Sequence, residues 1–336
     1  MSKPHIVQIL PMYHPDGEDL LNKHAKVKKF AEFTEPEICD YLQHHRVDGI
    51  ILRAPARITP AILDSCQQVK AISGAGVGLD NIDVGYATKK GIPILHAPKL
   101  NSTATAEHAV SLLLAVMKKT VYFNRETRSG NFQARDGAYS YELEGKQLGL
   151  IGFGSIAQKA AKILVHGFGM KAMVYVRNIN EEKMQAANHI GVELTTSLEK
   201  VFSESDAVSL HIPLTRETEK LVDYKLLALM KESAVLINTA RGGIINEPDL
   251  VKVLSQRRIL GAGIDVFSDE PPPADHPLFQ LKQVTTSPHI GGISLEAARK
   301  TSVLIAENLI SAIYGKKLSV IANQAELAKA GKGLFS

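Results

Sequence analysis

The chain has 336 residues, 45% of them hydrophobic and 22% charged, the composition of a soluble globular protein long enough for two domains; a disulfide-stapled miniprotein and a fibrous repeat are excluded. Its 39 Lys plus Arg against 35 Asp plus Glu leave a formal charge of +4, too small to argue for a nucleic-acid or membrane partner. Cys39 and Cys66 lack the spacing of a metal site or a disulfide framework, so they are expected as buried packing residues in a reducing, cytoplasmic compartment. The apolar run Ile6 to Leu10 is too short for a secretory signal, and Ala109 to Met117 is about half a membrane span.

Short β-branched runs alternate with longer helical patterns, which argues for an α/β protein with parallel sheets. The first strands are expected at His5 to Leu10, Gly49 to Leu52, Ala71 to Ser73 and Ile92 to Leu95. Between the first two, Lys23 to Lys29 carries four lysines without interleaved aromatics and reads as a solvated face. Asn101, Ser102 and Thr103 are capping types ahead of a helix over Ala104 to Lys119 that is apolar all round and therefore buried. The polar stretch Asn124 to Gly145 has no period and reads as an arm or loop. A second series follows, with strands at Leu148 to Ile151, Ala172 to Val176, Ala207 to Leu210, Ala234 to Asn238, Gly261 to Val266 and Val284 to Thr286. The last helical pattern, Ser294 to Tyr314, belongs either to the second domain or back on the first; periodicity does not choose between them.

Leu148 to Ile151 runs into Gly152-Phe153-Gly154-Ser155-Ile156-Ala157 and then a helical stretch. The first glycine permits a tight turn, the second lets backbone approach a pyrophosphate, and the helix start offers free amides; Ala157 takes the packing role of a third glycine. Strand, turn and helix in that order predict a dinucleotide site. An NAD site usually adds an acidic residue about 20 positions on, to accept from the ribose hydroxyls. Between Gly154 and Glu181 there is no Asp or Glu, while Lys159, Lys162, Lys171 and Arg177 occur; Val176 stands at the acid position with Arg177 beside it. That charge pattern predicts NADP(H) in preference to NAD(H), with NAD(H) still possible.

Three further segments each set a reactive side chain just past an expected strand, where ligands collect in parallel sheets: Arg241 before Gly242 and Gly243, Glu270 before Pro271 and Pro272, and His289 between Pro288 and Ile290. A guanidinium presents a planar fork to a carboxylate and carbonyl, an imidazole exchanges a proton with a hydroxyl, and a carboxylate orients that imidazole.

Six ordered motifs, Gly74 to Asp83, Ala104 to His108, Glu144 to Ala157, Asn238 to Gly243, Asp265 to Pro272 and Ser287 to Gly292, resemble the D-isomer-specific 2-hydroxyacid dehydrogenases, in the glyoxylate/hydroxypyruvate reductase and phosphoglycerate dehydrogenase group. The resemblance implies two Rossmann-like parallel-sheet domains around a cleft. The flavodoxin-like outer, substrate-binding domain would span 1–102 plus 294–336, and the inner NAD(P)-binding domain 103–293. It implies that Arg241 binds the 2-oxo acid, His289 is the acid/base and Glu270 its partner. The amides of Gly76, Val77 and Gly78 would share the substrate carboxylate. Ser155 and Ile156, with Gly152 and Gly154, would meet the pyrophosphate. Val176 and Arg177 would face the ribose, Ile212 and Pro213 the adenosine side, and Thr239, Ala240, Asp265 and Gly291 the nicotinamide side. No metal is expected, and the protein would pair as a homodimer through its inner domain. Phe132 and Lys99 depart from residues common in relatives, Trp and Gly respectively, and substrate choice would fall to side chains such as Arg53, Ala54, Leu100 and Phe132. No regulatory extension is expected after Ser336. The reading is an NADPH-preferring reductase of a small 2-oxo acid; its rivals are the same fold acting on another anion such as phosphite, and a nucleotide-sensing corepressor-like scaffold.

Overall fold

A computed structural model describes residues 3–75, 78–316 and 320–331. The chain divides into two compact units, Met1–Asn101 with Ile293–Ser336, and Ser102–Gly292.

In the first unit the elements run β1 (His5–Ile9), α1 (Pro15–His24), β2 (Lys26–Phe30), α2 (Glu35–His44), β3 (Gly49–Arg53), α3 (Pro60–Ser65), β4 (Ala71–Ala75), α4 (Val84–Lys90) and β5 (Ile94–Leu95). All pairs are parallel, in the order β2-β1-β3-β4-β5, the doubly wound flavodoxin-like order. Alternation along the strands fills both faces: Val7, Ile9, Ile50 and Leu52 point to one core, Ile6 and Ile51 to the other.

In the second unit come α5 (Ser102–Met117), α6 (Thr120–Arg128), β6 (Gln147–Ile151), α7 (Ser155–Lys162), β7 (Lys171–Tyr175), α8 (Glu181–Ile190), β8 (Glu193–Thr195), α9 (Leu198–Glu204), β9 (Ala207–Leu210), α10 (Tyr224–Leu229), β10 (Val235–Asn238), α11 (Glu247–Ser255), β11 (Gly261–Ile264) and β12 (Val284–Thr286). The seven strands are parallel in the order β12-β11-β10-β9-β6-β7-β8, with the strand order reversing between β6 and β9. That reversal is where a crevice opens at the carboxyl edge of a doubly wound sheet. The two parallel α/β sheets are the fold class that the sequence predicts. Helix α5 packs on α7, β10 and β11, and its mostly buried surface accounts for the lack of a polar face in its sequence.

The remaining helices, α12 (Leu295–Ile313) and α13 (Gln324–Lys329), lie in the first unit. The Ser294 hydroxyl accepts from the Ala297 amide at 3.1 Å to cap α12, which then packs along α1, β3 and β4. Its side chains Ile305, Leu309 and Ile313 close the second core of that unit, each worth about 1.5–3 kcal/mol of burial.

Lys23, Lys26, Lys28 and Lys29 are exposed, as a solvated face requires; the segment ends in strand β2 at a sheet edge, where its lysines discourage pairing with another chain. Two local expectations need correction. Asn124 to Gly145 begins inside helix α6, which buries no side chain and so shows no apolar stripe; Glu126, bonded to Arg125 and to Asn131 at 2.9 Å, anchors its end instead. Cys39 and Cys66 are free and only partly buried, packed against the core of the first unit. Lys99 adopts φ +66°, a left-handed backbone that glycine takes more readily. Among the described residues no helix is long and apolar enough to cross a membrane.

Candidate active site

The dinucleotide turn starts where β6 ends. Gly152 has φ +99°, and a Cβ there would lie 2.6 Å from the His211 carbonyl oxygen and 2.8 Å from Ile212 Cγ2, so only glycine lets the Ile212–Pro213 segment pack onto the turn. Its amide donates to the Tyr175 carbonyl at 3.0 Å, tying the turn to the end of β7. Gly154 then caps α7 with extended backbone and no side-chain bond, and a Cβ added to it would meet nothing within 4 Å. Ser155 bonds Ser102, at the start of α5, through their hydroxyls at 3.0 Å, and Ile156 follows on α7, partly buried against the core. At the end of β10 the Thr239 hydroxyl is buried and has no hydrogen-bond partner. An open helix start rich in amides, with an unsatisfied hydroxyl at the same sheet edge, fits a dinucleotide.

At the ribose position, Val176 is buried in the core and its amide is committed to the Thr195 carbonyl at 2.9 Å. Arg177 follows, exposed. The spacing argument missed Glu217, which comes from the loop after β9. Its carboxyl is held below the usual range chiefly by the Thr215 hydroxyl, 2.7 Å away, and to a smaller degree by the Arg177 guanidinium.

The three chemical loops converge within this unit. Buried Asn238 braces the turn after β10, donating to the Arg241 carbonyl at 2.9 Å and accepting from the Ala240 amide at 3.0 Å. Arg241 Nη1 donates to the Ala240 carbonyl at 2.7 Å. The next residue, Gly242, lies against the backbone of Phe267 and Ser268, where any side chain would overlap it. Glu270 Oε1 accepts from the Phe267 amide at 3.1 Å, and Oε2 meets His289 Nδ1 at 2.7 Å. Partial burial works against the Glu270 charge, but the His289 bond and charge, the Phe267 amide and the Arg241 guanidinium outweigh it and leave its carboxyl below the usual range. Glu247, at the start of α11, accepts from the Ser268 amide at 2.8 Å and steadies the same loop. Asp265, 1% exposed, accepts from the Ser287 hydroxyl at 2.6 Å and from the Ile290 and Gly291 amides at 2.9 and 2.8 Å. Burial alone would raise its pKa, yet these donors and His108 bring it down to about 2.

A model of the D-isomer specific 2-hydroxyacid dehydrogenase NAD-binding domain matches residues 110–291. A glyoxylate reductase of Thermococcus litoralis is 39% identical over 308 residues, covering 90% of this chain and 91% of that protein. Among solved structures, a glyoxylate reductase from Paecilomyes thermophila superimposes with TM-score 0.85 at 27% identity, covering 96% of this chain and 100% of the other. An acyclic imino acid reductase in complex with NADPH and D-Arg gives TM-score 0.81 at 31% identity, covering 94% and 99%.

The chain belongs to the D-isomer specific 2-hydroxyacid dehydrogenase family. It is an oxidoreductase that uses a nicotinamide cofactor and acts on small molecules, which sets aside the corepressor-like scaffold. Of the expected site residues of this dehydrogenase, Arg241, Glu270 and His289 lie in one unit with the whole dinucleotide set. Gly76 and Val77 lie outside the described residues; Gly78 follows in the first unit, partly buried. Asp265 does more than expected, because its carboxylate organises the loop that carries His289. His108, Ser287 and Glu217 went unnoticed as individual residues, since each acts through a partner distant in sequence.

Beside the cofactor turn, His211 bonds the Ser209 hydroxyl at 2.9 Å, and burial holds its imidazole down to about 4. The unfolded chain protonates this group near 6.5 and Asp265 near 3.8, while the folded enzyme resists both. Stability is therefore complete above pH 6.5 and falls as acid is added, by on the order of 3 kcal/mol from His211 alone. Urea midpoints measured from pH 6.5 down to about 4 should fall steeply in the parent and more gently in His211→Gln. Identical slopes would contradict the buried neutral imidazole.

Proposed function

We propose that this dehydrogenase reduces a small 2-oxo acid of the glyoxylate and hydroxypyruvate class to the D-2-hydroxy acid, taking NADPH in preference to NADH. The observation that carries the reading is the 2.7 Å contact between His289 Nδ1 and Glu270 Oε2, beside the turn that bears Arg241. With Nδ1–H directed at a carboxylate, the ring is fixed and Nε2 is left for substrate. Bound along Gly152, Gly154, Ser155 and Ile156 and against Thr239, Ala240 and Asp265, the nicotinamide cofactor supplies the hydride. Arg241 binds the substrate carboxylate and carbonyl as a planar fork. His289, protonated on both ring nitrogens with Glu270 balancing the imidazolium, gives its Nε2 proton to the oxygen on C2 as hydride reaches that carbon, and solvent then reprotonates the neutral ring.

The unit containing both termini takes the substrate and the other the cofactor. The name of the Thermococcus litoralis relative supports the substrate class. Exposed Arg177, together with the apolar Val176 where an acid would repel a 2′-phosphate, supports NADPH, as does the NADPH in the imino acid reductase structure. Glu217 near Arg177 pulls the other way, so the preference is partial. Val121, Phe132 and Tyr139 are exposed on and after α6, Phe132 at 67%, which supports pairing of two copies through that segment.

His289→Gln should lower kcat about 10²- to 10⁴-fold while NADPH affinity measured by fluorescence titration stays near the parent value. Parent-like turnover would defeat the proton role. Arg177→Ala should raise KM for NADPH far more than for NADH across a panel of 2-oxo acids; equal losses would mean that the guanidinium does not read the phosphate.

A further inference from the structure

We propose that His108 and Ser287 are positioning residues for His289, acting through Asp265. The proposal rests on the reading of His289 as the proton donor. His289 has φ +53°, a left-handed conformation that a residue with a side chain holds only when its surroundings impose it. The imposing group is Asp265. Its carbonyl accepts from the His289 amide at 2.8 Å, and its carboxylate takes the next two amides and the Ser287 hydroxyl. Both flanks of the left-handed residue are thus fastened to one buried side chain.

That side chain is held in turn from α5. His108 Nε2 lies 2.8 Å from Ser287 Oγ and 3.3 Å from Asp265 Oδ1. The Ser287 proton goes to Asp265, so the Ser287 oxygen accepts from His108, which must carry its proton on Nε2. A Cβ on Gly291 would fall 2.8 Å from Asp265 Oδ2 and 3.3 Å from His108 Cδ2, so the loop is seated directly on the pair. Helix α5 is largely buried and packs on β10, β11 and α7, which gives the chain His108–Ser287–Asp265 a rigid origin. The influence of His108 on His289 passes through Ser287, Asp265 and the turn.

Replacing His108 by Leu removes the N–H donor to the Ser287 oxygen, leaves Ser287 held only by its bond to Asp265, and should loosen the turn. The expected result is a kcat about 10- to 100-fold lower with KM for the 2-oxo acid little changed. His108→Gln, which keeps an N–H donor in reach of Ser287, should recover most of that loss. In the cofactor-free enzyme, amide exchange followed by mass spectrometry should speed up over residues 287–292 in His108→Leu and not in His108→Gln. The double variant with Ser287→Ala should be no slower than the worse single variant, as expected of two members of one chain. Parent-like kcat per folded molecule in His108→Leu, unchanged exchange over 287–292, no recovery with Gln, or additive losses would each overturn the proposal. Exchange needs no turnover, so it separates this proposal from the proton role, which fails only if His289→Gln turns over normally.

Discussion

A carboxylate with almost no access to water is costly to bury unless donors replace the lost hydration, and Asp265 has four of them within 2.9 Å or on its flank: the Ser287 hydroxyl, two successive amides and His108. Three of these donors, Ser287, Ile290 and Gly291, belong to the loop after β12, so the charge cannot be satisfied without folding that loop into its left-handed turn at His289. The turn that carries the His289 imidazole is thereby fixed by the fold itself. Glu270 joins His289 from the loop after β11, which starts at Asp265 itself, so the imidazole, its carboxylate partner and its anchor all come from two adjacent strand ends.

Close backbone packing supplies the rest of the geometry. Gly242 brings the Arg241 turn against Phe267 and Ser268, and Gly152 brings the cofactor turn against His211 and Ile212. Each is a place where one extra methyl group would push apart loops from neighbouring strands. Parallel strands make this arrangement economical, because every strand delivers its following loop to the same edge of the sheet.

The fold class was legible because the apolar strands of both units are covered on two faces and therefore read as unbroken β-branched runs. Strands β2 and β8 escaped notice for the opposite reason: Lys26–Phe30 and Glu193–Thr195 are short, charged and at sheet edges, where tertiary pairing rather than local pattern makes the strand. Arg241, Glu270 and His289 were visible as residue types placed just past strands. The grip of Asp265 on Ile290 and Gly291 was not, since a carboxylate in a sequence gives no sign of which amides it will accept from. His108 and Ser287 are separated by 179 positions and meet only when α5 packs against the sheet. Glu217 likewise approaches Arg177 from a different loop, so a spacing rule along one strand and helix could not register it.

The central claim is that the turn anchored on Asp265 presents His289 with Nδ1 bonded to Glu270 and Nε2 turned to substrate. Nitrogen-15 NMR of histidine-labelled enzyme reads this directly. The neutral His289 ring should carry its proton on Nδ1, and that signature should be lost in Glu270→Gln. A neutral ring protonated on Nε2 in the parent enzyme, unaffected by the Glu270 change, would contradict the account.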